Sequence, residues 1–518
     1  FASIDKFRKQ TLDEIEKVKW HPAWGEKRIS KMIEDRNDWC ISRQRTWGVP
    51  IPVIYCKKCH KPHLTENTIK IIKDLIVKEG SNAWWMKDVK DIFKDEVCSE
   101  CGSKEFVKET DIMDVWFDSG TTYRSVVKNW NLPEIDLYLE GNDQYRGWFQ
   151  SSLLTSVATR GKAPYKEVLT NGFLVDEHGN KMSKSLGNVI DPNDIVKTMG
   201  ADIIRLWVLS TDYQSEVSVS QNILKQISES YRKIRNTTRY ILGNINDFDP
   251  NIDKVDYESL EEIDKWALDK LNKLIRDVTK AFDTYAFNKA FQAINEFIVN
   301  DMSAFYLDII KDRLYTESKT GNLRRAAQTT IYEILNTLLR LLTPVLVYTS
   351  EEIFKYIPKM ENEKNVESAM LLDYPKENKS WNNKEVREKI DYLKEIKEII
   401  SKELEEKRAL KEIGGSLDAR LLLYVDENVF EKIKDDRKLL EEIAIVSKLD
   451  ILKMKELDDK IKSKENENEK ILAFAQKSKS EKCERCWKYD DEVGKNEENS
   501  PVCPRCYRVL KDMGFYEG

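Results

Sequence analysis

Two kinds of residue cluster in this sequence could support chemistry: a lysine–serine loop and paired cysteines. The loop reads Lys181-Met182-Ser183-Lys184-Ser185 and continues Leu-Gly-Asn. Its ammonium groups could neutralise charge on a leaving pyrophosphate, and its hydroxyls could add hydrogen bonds. Short loops of lysine and serine are also common as solvated turns. A predicted strand before the loop and a predicted helix after it favour the phosphate-binding interpretation.

The nine cysteines fall into Cys-x-x-Cys pairs, with Cys40 left over. The first two pairs enclose 38 residues and the last two enclose 16. Two residues between thiolates let one turn present both sulfurs to a tetrahedral ion, so each quartet predicts a structural Zn²⁺. His60 and His63 are alternative ligands in the first quartet, although with four cysteines available we favour ordinary loop residues. The predicted zinc ligands are Cys56, Cys59, Cys98 and Cys101, then Cys483, Cys486, Cys503 and Cys506.

Length and composition limit the class of protein. The chain has 518 residues, which predicts about three or four domains, and 41% of its residues are hydrophobic, which is enough for several cores. The net charge of −6 excludes a globally basic nucleic-acid binder but not a local basic surface. No apolar run reaches a membrane span and no signal peptide is recognisable, so we expect a cytoplasmic protein without a membrane partner. Because the chain begins at Phe1 without an initiator Met, we expect a fragment.

The elements that must position the loop have an α/β pattern over residues 136–209. Short strands are predicted at 136–140 and 168–175, with a helix from Trp148 to Thr159 between them and a helix capped by Asp191-Pro192 after the loop. Strand, helix and strand in succession are typical of a doubly wound sheet, whose ligands lie at the carboxyl ends of the strands.

The rest of the chain is mainly helical. Apolar residues recur at three and four positions from about 221 to 357, which predicts a helical bundle. A charged helix at 384–412 and a strand at 420–425 predict a small α/β junction. Residues 456–482 are predicted to be a charged linker to the closing zinc ribbon.

With these elements placed, the sequence resembles the class I aminoacyl-tRNA synthetases, and among them the bacterial isoleucyl-tRNA synthetases. The loop at 181–185 carries the resemblance together with several blocks in family order. These blocks are Trp39-Cys-Ile-Ser-Arg-Gln44, Asp114-Val-Trp-Phe-Asp-Ser-Gly120, Glu140-Gly-Asn-Asp-Gln-Tyr-Arg-Gly-Trp-Phe149, Gly200-Ala-Asp-Ile-Ile-Arg-Leu-Trp207, Asp301-Met-Ser-Ala-Phe-Tyr-Leu-Asp308 and the Cys483–Cys506 quartet.

The resemblance implies a reaction and the residues that serve it. The isoleucine carboxylate attacks the α-phosphate of ATP, bound with Mg²⁺, and the acyl group then passes to the terminal ribose of tRNA(Ile). Lys184 would contact ATP, supported by Lys181, Met182, Ser183 and Ser185. The aminoacyl adenylate would be held by Glu140 and Gly141, with Asp143, Gln144 and Trp148 beside it. Asp143 could instead be a helix cap and Trp148 plain core.

The resemblance also implies a domain order. We expect the exit of an editing or connective insert at 1–38, a connective region with zinc knuckles at 39–135, and the second half of a Rossmann-like catalytic domain at 136–220. A helical anticodon-binding domain at 221–380, an α/β junction at 381–470 and a zinc-binding domain at 471–518 would follow. The molecule is expected to be a monomer.

Two regions are candidates for RNA contact. Arg232, Arg235 and Arg239 recur at helical spacing and would form one basic face suited to an RNA backbone, or simply a solvated face. In the ribbon, cations alternate with an aromatic ring that could stack on an unpaired base, or pack on its own zinc knuckle. The ribbon candidates are Arg485, Trp487 and Arg505.

The chain departs from the family pattern in two ways. Asn142 and Tyr145 stand where most members are expected to have Ser and His, although both keep hydrogen-bonding capacity. None of the four histidines forms the His-x-Gly-His loop of the family, so we expect this chain to be inactive by itself. The alternatives are a fragment of a valyl- or leucyl-tRNA synthetase, or a non-catalytic tRNA-binding module.

Overall fold

A computed structural model describes residues 1–457, 470–495 and 501–515. The chain divides into two compact units. The first contains residues 1–182 and 213–218, and the second contains 183–212 and 219–518. The expected catalytic half at 136–220 is therefore shared between the units, because 183–212 packs with the second. Residues 458–469 of the expected linker lie outside the described residues, as do 496–500 and 516–518 of the expected zinc domain.

The first unit is built from short elements. Its helices are α1 (Arg8–Ile15), α2 (Trp24–Glu34), α3 (Glu66–Glu79), α4 (Ala83–Met86), α5 (Val89–Ile92), α6 (Val115–Gly120), α7 (Thr122–Ser125) and α8 (Trp148–Arg160). Its strands are β1 (Lys19–His21), β2 (Ser42–Arg43), β3 (Ile54–Cys56), β4 (Pro62–His63), β5 (Phe106–Lys108), β6 (Ile112–Met113), β7 (Ile135–Gly141), β8 (Tyr165–Asn171), β9 (Leu174–Val175) and β10 (Val217–Ser218).

A parallel three-stranded sheet forms the centre of this unit, in the order β1-β8-β7. Val168 of β8 lies opposite Trp20 of β1 and Tyr138 of β7. Helix α8 packs Phe149 and Leu153 into the core that these strands share. The expected α/β unit is present. Its three parallel strands end at the same edge of the sheet, which is where doubly wound sheets bind their ligands.

The predicted strand at 168–175 is interrupted. Strand β8 ends at Asn171, and β9 pairs in parallel with β10 in a separate sheet. Gly172 explains the break, because a Cβ there would lie 2.0 Å from the carbonyl oxygen of Ser215. Only glycine permits this close backbone approach, which the sequence pattern could not reveal.

An insert between β2 and β6 carries the first cysteine quartet. Strand β3 pairs with β4 and β5, and α3 begins with Thr65 accepting a hydrogen bond from the amide of Thr68. The insert has its own buried core, which includes Ile54, Ile72, Trp84, Phe93 and Phe106.

The second unit is mainly helical. Its helices are α9 (Pro192–Met199), α10 (Ala201–Ser210), α11 (Gln221–Asn244), α12 (Glu262–Asp283), α13 (Phe287–Glu296), α14 (Leu307–Ile309), α15 (Lys311–Thr316), α16 (Asn322–Leu342), α17 (Val347–Tyr356), α18 (Lys384–Ala409), α19 (Glu427–Ile433), α20 (Arg437–Ala444) and α21 (Pro504–Asp512). Its strands are β11 (Ala419–Val425), β12 (Lys448–Lys453), β13 (Ile471–Lys477), β14 (Glu481–Lys482) and β15 (Tyr489–Asp490).

The predicted bundle is α11 to α17. Trp266, Leu271, Ile275 and Val278 of α12 are buried, as their helical spacing predicts. A π-helical stretch, Phe297–Tyr306, continues α13. In the described residues, each helix is either too short or too polar to cross a lipid bilayer.

A mixed sheet, ordered β12-β11-β13, forms the α/β junction after the bundle. Strand β11 is parallel to β12 and antiparallel to β13. Residues Ile471–Lys477, which were expected in the linker and zinc domain, therefore belong to this sheet. The ribbon itself follows Lys477.

Candidate active site and zinc centres

The adenylate candidates lie at the carboxyl edge of the parallel sheet. Glu140 and Gly141 are the last residues of β7, and the chain then turns through a 3₁₀ helix, Asn142–Arg146, into α8. The Glu140 side chain is exposed at this edge. A carboxylate in this position can accept hydrogen bonds from ribose hydroxyls or an ammonium group.

Gln144 connects the turn to the helix. Its Oε1 accepts a hydrogen bond from the backbone amide of Trp148 at 3.0 Å, so Gln144 caps α8. Its Nε2 donates to Asp143 Oδ2, also at 3.0 Å. Asp143 itself makes no capping bond to α8 in the described structure. The helix cap considered for Asp143 is therefore supplied by Gln144, and the Asp143 side chain remains exposed beside it.

Trp148 is held on two sides. Its ring stacks on Tyr138 with centroids 3.9 Å apart, and its Nε1 donates to the Ser119 carbonyl at 3.0 Å. The side chain is half-buried. These contacts are what a core residue makes, and they also fix the indole as a rigid surface beside the turn.

Trp116 is a neighbour of this turn to which sequence reasoning gave no role. A Cβ at Gly147 would lie 2.8 Å from the Trp116 ring and 2.5 Å from Gln144 Oε1. Gly147 therefore lets Trp116 close onto the turn, and the indole is partly exposed there. The signal was present in the block 114–120, but only the fold brings that block to Gly147.

Asp114, whose role the sequence left open, is a structural brace. Its Oδ1 accepts from the amide of Trp116 at the start of α6, and its Oδ2 accepts from Trp39 Nε1 at 2.9 Å and Arg43 Nη2 at 2.7 Å. The segment 39–43 is thereby tied to α6. Burial, together with the negative charge of Asp114, raises the pKa of Asp118 above its usual value.

The chain passes from the first unit to the second within the lysine–serine loop. In the first unit, Lys181 pairs with Val175 across an isolated bridge, and its Nζ lies 5.0 Å from the centre of the Phe173 ring. In the second unit, the amide of Ser183 donates to Asn188 Oδ1 at 2.9 Å. Ser183 and Ser185 share a hydroxyl hydrogen bond of 3.1 Å.

Lys184 is exposed at the tip of this loop. Among the described residues it forms no ion pair. A lysine held out into solvent between two serine hydroxyls can bind an anion without first breaking an internal salt bridge.

The cysteines form two compact quartets, in which all four sulfurs lie within 4.8 Å of one another. The sulfur separations are 3.5 Å for Cys56–Cys101, 3.7 Å for Cys59–Cys98 and 3.8 Å for Cys486–Cys503. A tetrahedral zinc with bonds of about 2.3 Å places its sulfurs roughly 3.8 Å apart. Both sites therefore fit Zn²⁺, and His63 is committed elsewhere, to Glu96 at 2.9 Å.

In each quartet, backbone amides favour the thiolate of one cysteine. Amide groups, first that of Cys59, lower the pKa of Cys56 to about 6. Burial disfavours the thiolate of Cys483, but amides led by those of Cys486 and Cys503 lower its pKa to about 7. Hydrogen bonds among the thiols instead raise the pKa values of Cys486, Cys503 and Cys506 to about 11, so a zinc ion would bind one ready thiolate and displace protons from its neighbours.

The predicted basic face of α11 is present on the surface. Arg232, Arg235 and Arg239 are all exposed. Arg232 pairs with Glu229 and Arg235 with Glu352 at 2.8 Å, both through exposed side chains. Such pairs are weak, so a phosphate could replace the carboxylates.

The ribbon candidates differ from one another. The Trp487 side chain is 62% exposed. Arg485 donates to the carbonyl of Thr316, and Arg505 donates to Asp312 through both terminal nitrogens. Of the three, Trp487 alone presents most of its side chain to a partner.

Three family models match the chain in succession. Residues 1–220 match the model for tRNA synthetases class I (I, L, M and V). Residues 264–423 match the anticodon-binding domain of tRNA ligase, and 480–509 match the zinc finger found in FPG and IleRS.

Full-length relatives agree with these models. The chain is 50% identical over 515 residues to isoleucine–tRNA ligase of Caldicellulosiruptor bescii, covering 99% of the chain and 54% of that ligase. It is 49% identical over 510 residues to the same ligase of Thermoanaerobacter sp., covering 98% and 54%. The chain thus spans about half the length of the curated relatives that it matches.

Solved structures share the fold. A leucyl-tRNA synthetase from Agrobacterium radiobacter, crystallised in a ternary complex with tRNA, aligns with a TM-score of 0.51 at 20% identity over 75% of this chain and 44% of that one. The Mycobacterium tuberculosis methionyl-tRNA synthetase bound to methionyl-adenylate aligns with a TM-score of 0.50 at 17% identity over 71% and 64%.

Proposed function

The chain belongs to the class I aminoacyl-tRNA synthetases, among the isoleucine–tRNA ligases, and from this membership we propose that it serves ATP-dependent attachment of isoleucine to tRNA(Ile). The observation that carries the proposal is 50% identity to an isoleucine–tRNA ligase over 99% of the chain. Because relatives at this level of identity are isoleucine–tRNA ligases, isoleucine is favoured over valine and leucine as the amino acid substrate.

The carboxyl edge of the parallel sheet is proposed to hold the aminoacyl adenylate. Glu140 and Asp143 are exposed carboxylates beside Gln144, and they suit the ammonium and hydroxyl groups of that intermediate. Trp148 is proposed as one wall of the side-chain pocket, with Trp116 as a second wall across Gly147. Rigid apolar walls select an aliphatic side chain by shape.

The loop at 181–185 is proposed to stabilise the leaving pyrophosphate. As the isoleucine carboxylate attacks the α-phosphate, charge grows on the β- and γ-phosphates. Lys181 and Lys184 offset that charge, with Mg²⁺ neutralising part of it, and Ser183 and Ser185 donate hydrogen bonds. Met182 is the apolar residue of this loop and separates Lys181 from Ser183 and Lys184.

The remaining modules are proposed to bind tRNA and to fold around zinc. Arg232, Arg235 and Arg239 meet the RNA backbone, and Trp487 stacks on an unpaired base. Zinc in the Cys483 quartet, and a second zinc in the Cys56 quartet, supply structural cross-links and leave no open position for catalysis. We propose that the protein works as a monomer in the cytoplasm.

Reconstitution tests the proposal. The chain would be combined with the part of the Caldicellulosiruptor bescii ligase that it does not match, and isoleucine-dependent exchange of pyrophosphate into ATP would be measured. We expect exchange only in the mixture, because no His-x-Gly-His loop occurs in the 518 residues.

The same mixture separates the alternatives. Exchange with valine or leucine in place of isoleucine would correct the substrate. Binding of tRNA by the chain, without any exchange in a mixture whose two parts associate, would instead favour a non-catalytic tRNA-binding module. Exchange by the chain alone would contradict the dependence on a second part.

A further inference from the structure

Helix α15 carries two neighbouring charged residues that face different modules. Asp312 contacts the zinc ribbon, and Arg313 contacts the bundle and the junction. All of these contacts lie within the second unit. A helix with these contacts can act as an anchor for the ribbon.

The ribbon reaches α15 with one arginine from each Cys-x-x-Cys pair. Both pairs have arginine directly before their second cysteine, in Cys483-Glu-Arg-Cys486 and Cys503-Pro-Arg-Cys506. Arg505 donates to Asp312 Oδ2 at 2.5 Å and to Oδ1 at 2.8 Å, the two-pronged geometry of a strong arginine–carboxylate pair. Arg485 donates to the carbonyl of Thr316 at the end of the same helix.

The anchor is itself held firmly. The Arg313 side chain is 6% exposed and donates to Asp264 Oδ2 at 2.8 Å and Oδ1 at 3.0 Å. Its Nε lies 3.3 Å from Glu442 Oε1 of α20, and the Tyr306 hydroxyl also donates to Asp264 at 2.7 Å. Helix α15 is therefore fixed to α12 through buried, charged hydrogen bonds and to α20 through an ion pair.

Trp487 is fixed to the ribbon at its backbone while its ring remains outside. It follows Cys486, its amide donates to the Cys483 carbonyl at 3.0 Å, and its φ of 64° lies in the left-handed region. A non-glycine residue stays there only where its surroundings impose it. The direction of the exposed indole is thus set by the knuckle. The ribbon that carries the knuckle is held by α15 and by contacts of Tyr489 and Asp491 with the junction.

We propose that Asp312 is a positioning residue for RNA recognition, which holds Arg505 and with it the ribbon so that Trp487 is oriented to stack on an unpaired base of tRNA. The inference rests on the proposed function. It gives Arg485 and Arg505 a role inside the protein, in place of direct phosphate contact. We name the group formed by Asp312, Thr316, Arg485 and Arg505 the ribbon latch.

A double-mutant cycle tests the ribbon latch. The zinc-loaded chain and its variants Asp312→Ala, Trp487→Ala and the double variant would be titrated with tRNA(Ile), and zinc content would be measured for each. Loss of one stacked base costs about 5- to 150-fold in affinity. We expect Asp312→Ala to weaken binding in the wild-type background and to have little further effect once Trp487 is absent.

Other outcomes overturn the inference. Equal, multiplicative losses from the two substitutions would show that Asp312 does not act through Trp487. Tighter binding by Asp312→Ala would show that freed Arg505 contacts RNA directly. The matched control is Glu431→Ala, which removes an exposed carboxylate–lysine pair on α19 and should leave affinity unchanged.

A measurement without RNA keeps the inference separate from the proposed function. Amide hydrogen exchange of residues 480–495 and 501–515 should accelerate in Asp312→Ala with zinc still bound, and exchanging the partners in Asp312→Arg/Arg505→Asp should restore part of the protection. Faster exchange with no effect of Trp487→Ala on tRNA binding would retain the latch but refute the stacking role. Unchanged exchange would overturn the latch.

Discussion

The two cysteine quartets have the same ligands but different surroundings. The first lies in an insert whose core also buries Ile54, Ile72, Trp84, Phe93 and Phe106. Among the described residues of the second, the buried core consists of the four cysteines with Val493 and Val502. A metal site can thus support an existing core or replace a missing one, because a small module cannot bury enough apolar surface to fold by itself.

The second difference is in how each module is held. The insert is covalently continuous with the first unit at both ends, through β3 and β5. The ribbon is held on α15 by the two arginines of its own knuckles. A zinc ion held by the ribbon quartet would therefore organise both the fold of the module and the side chains that dock it.

Metal removal should separate the quartets most clearly. Structural zinc contributes about 10–16 kcal/mol of binding free energy in small zinc modules. We expect a chelator to abolish hydrogen-exchange protection across 480–495 and 501–515, while Trp84 and its neighbours in the insert keep part of theirs. Equal loss of protection in both regions would show that the insert also depends on its metal for folding.

Weakening the apolar core of the insert should destabilise the insert and leave the ribbon unchanged. Trp84 is fully buried, and truncating a buried tryptophan to alanine costs about 3–5 kcal/mol. Trp84→Ala should therefore lower protection at 56–110 without changing the ribbon. The control is Trp85→Ala, which truncates a neighbouring indole that is partly exposed.

The lysine–serine loop provides the contrast between folding and chemistry. Lys184 is exposed and unpaired among the described residues, so Lys184→Ala should change the free energy of unfolding by less than about 0.5 kcal/mol. In the reconstituted enzyme it should lower pyrophosphate exchange by about 10²–10³-fold, the usual cost of losing one group that stabilises transition-state charge. A matching loss of stability would assign the lysine a structural role instead.

The smallest effect is expected at the brace of the first unit. Asp114→Asn keeps one acceptor, for the amide of Trp116, but places an amide nitrogen where Oδ2 accepts from Trp39 and from the half-exposed Arg43. We expect a cost of about 1–2 kcal/mol in thermal unfolding, since charged hydrogen bonds contribute about 1.5–3 kcal/mol and solvent screens this one. No change would show that the capping bond from the Trp116 amide is sufficient.

Sequence reasoning performed well where the signal was local. Spacing within each Cys-x-x-Cys pair predicted the compact quartets, and apolar periodicity predicted buried positions on α12 such as Trp266 and Leu271. Asp191 does cap α9, accepting from the amide of Asn193 at 2.8 Å. The proposed roles of the candidates at 140–148 and 181–185 remain predictions, although the fold places the first group at one sheet edge.

It failed where partners are distant in sequence. Ile471–Lys477 looked like a linker, but pairing with β11 makes it a strand. Arg505 was predicted as a candidate for RNA contact, and no signal in the sequence indicated its carboxylate partner, Asp312, which lies 193 positions away. No local pattern encodes such a pair, because each residue by itself is an ordinary surface charge.

The sequence by itself determined the ligand sets, the amphipathic helices and the chemistry available in the loop, since each depends on residue types a few positions apart. The tertiary structure decided which charged groups have a partner within the protein, which glycine permits the close approach of another backbone segment and which tryptophan remains exposed. These depend on how separate elements pack, where a buried charge must find a partner and a close approach must exclude a side chain. For that reason Asp312, a residue without any motif, emerges only from the fold as the anchor of the ribbon.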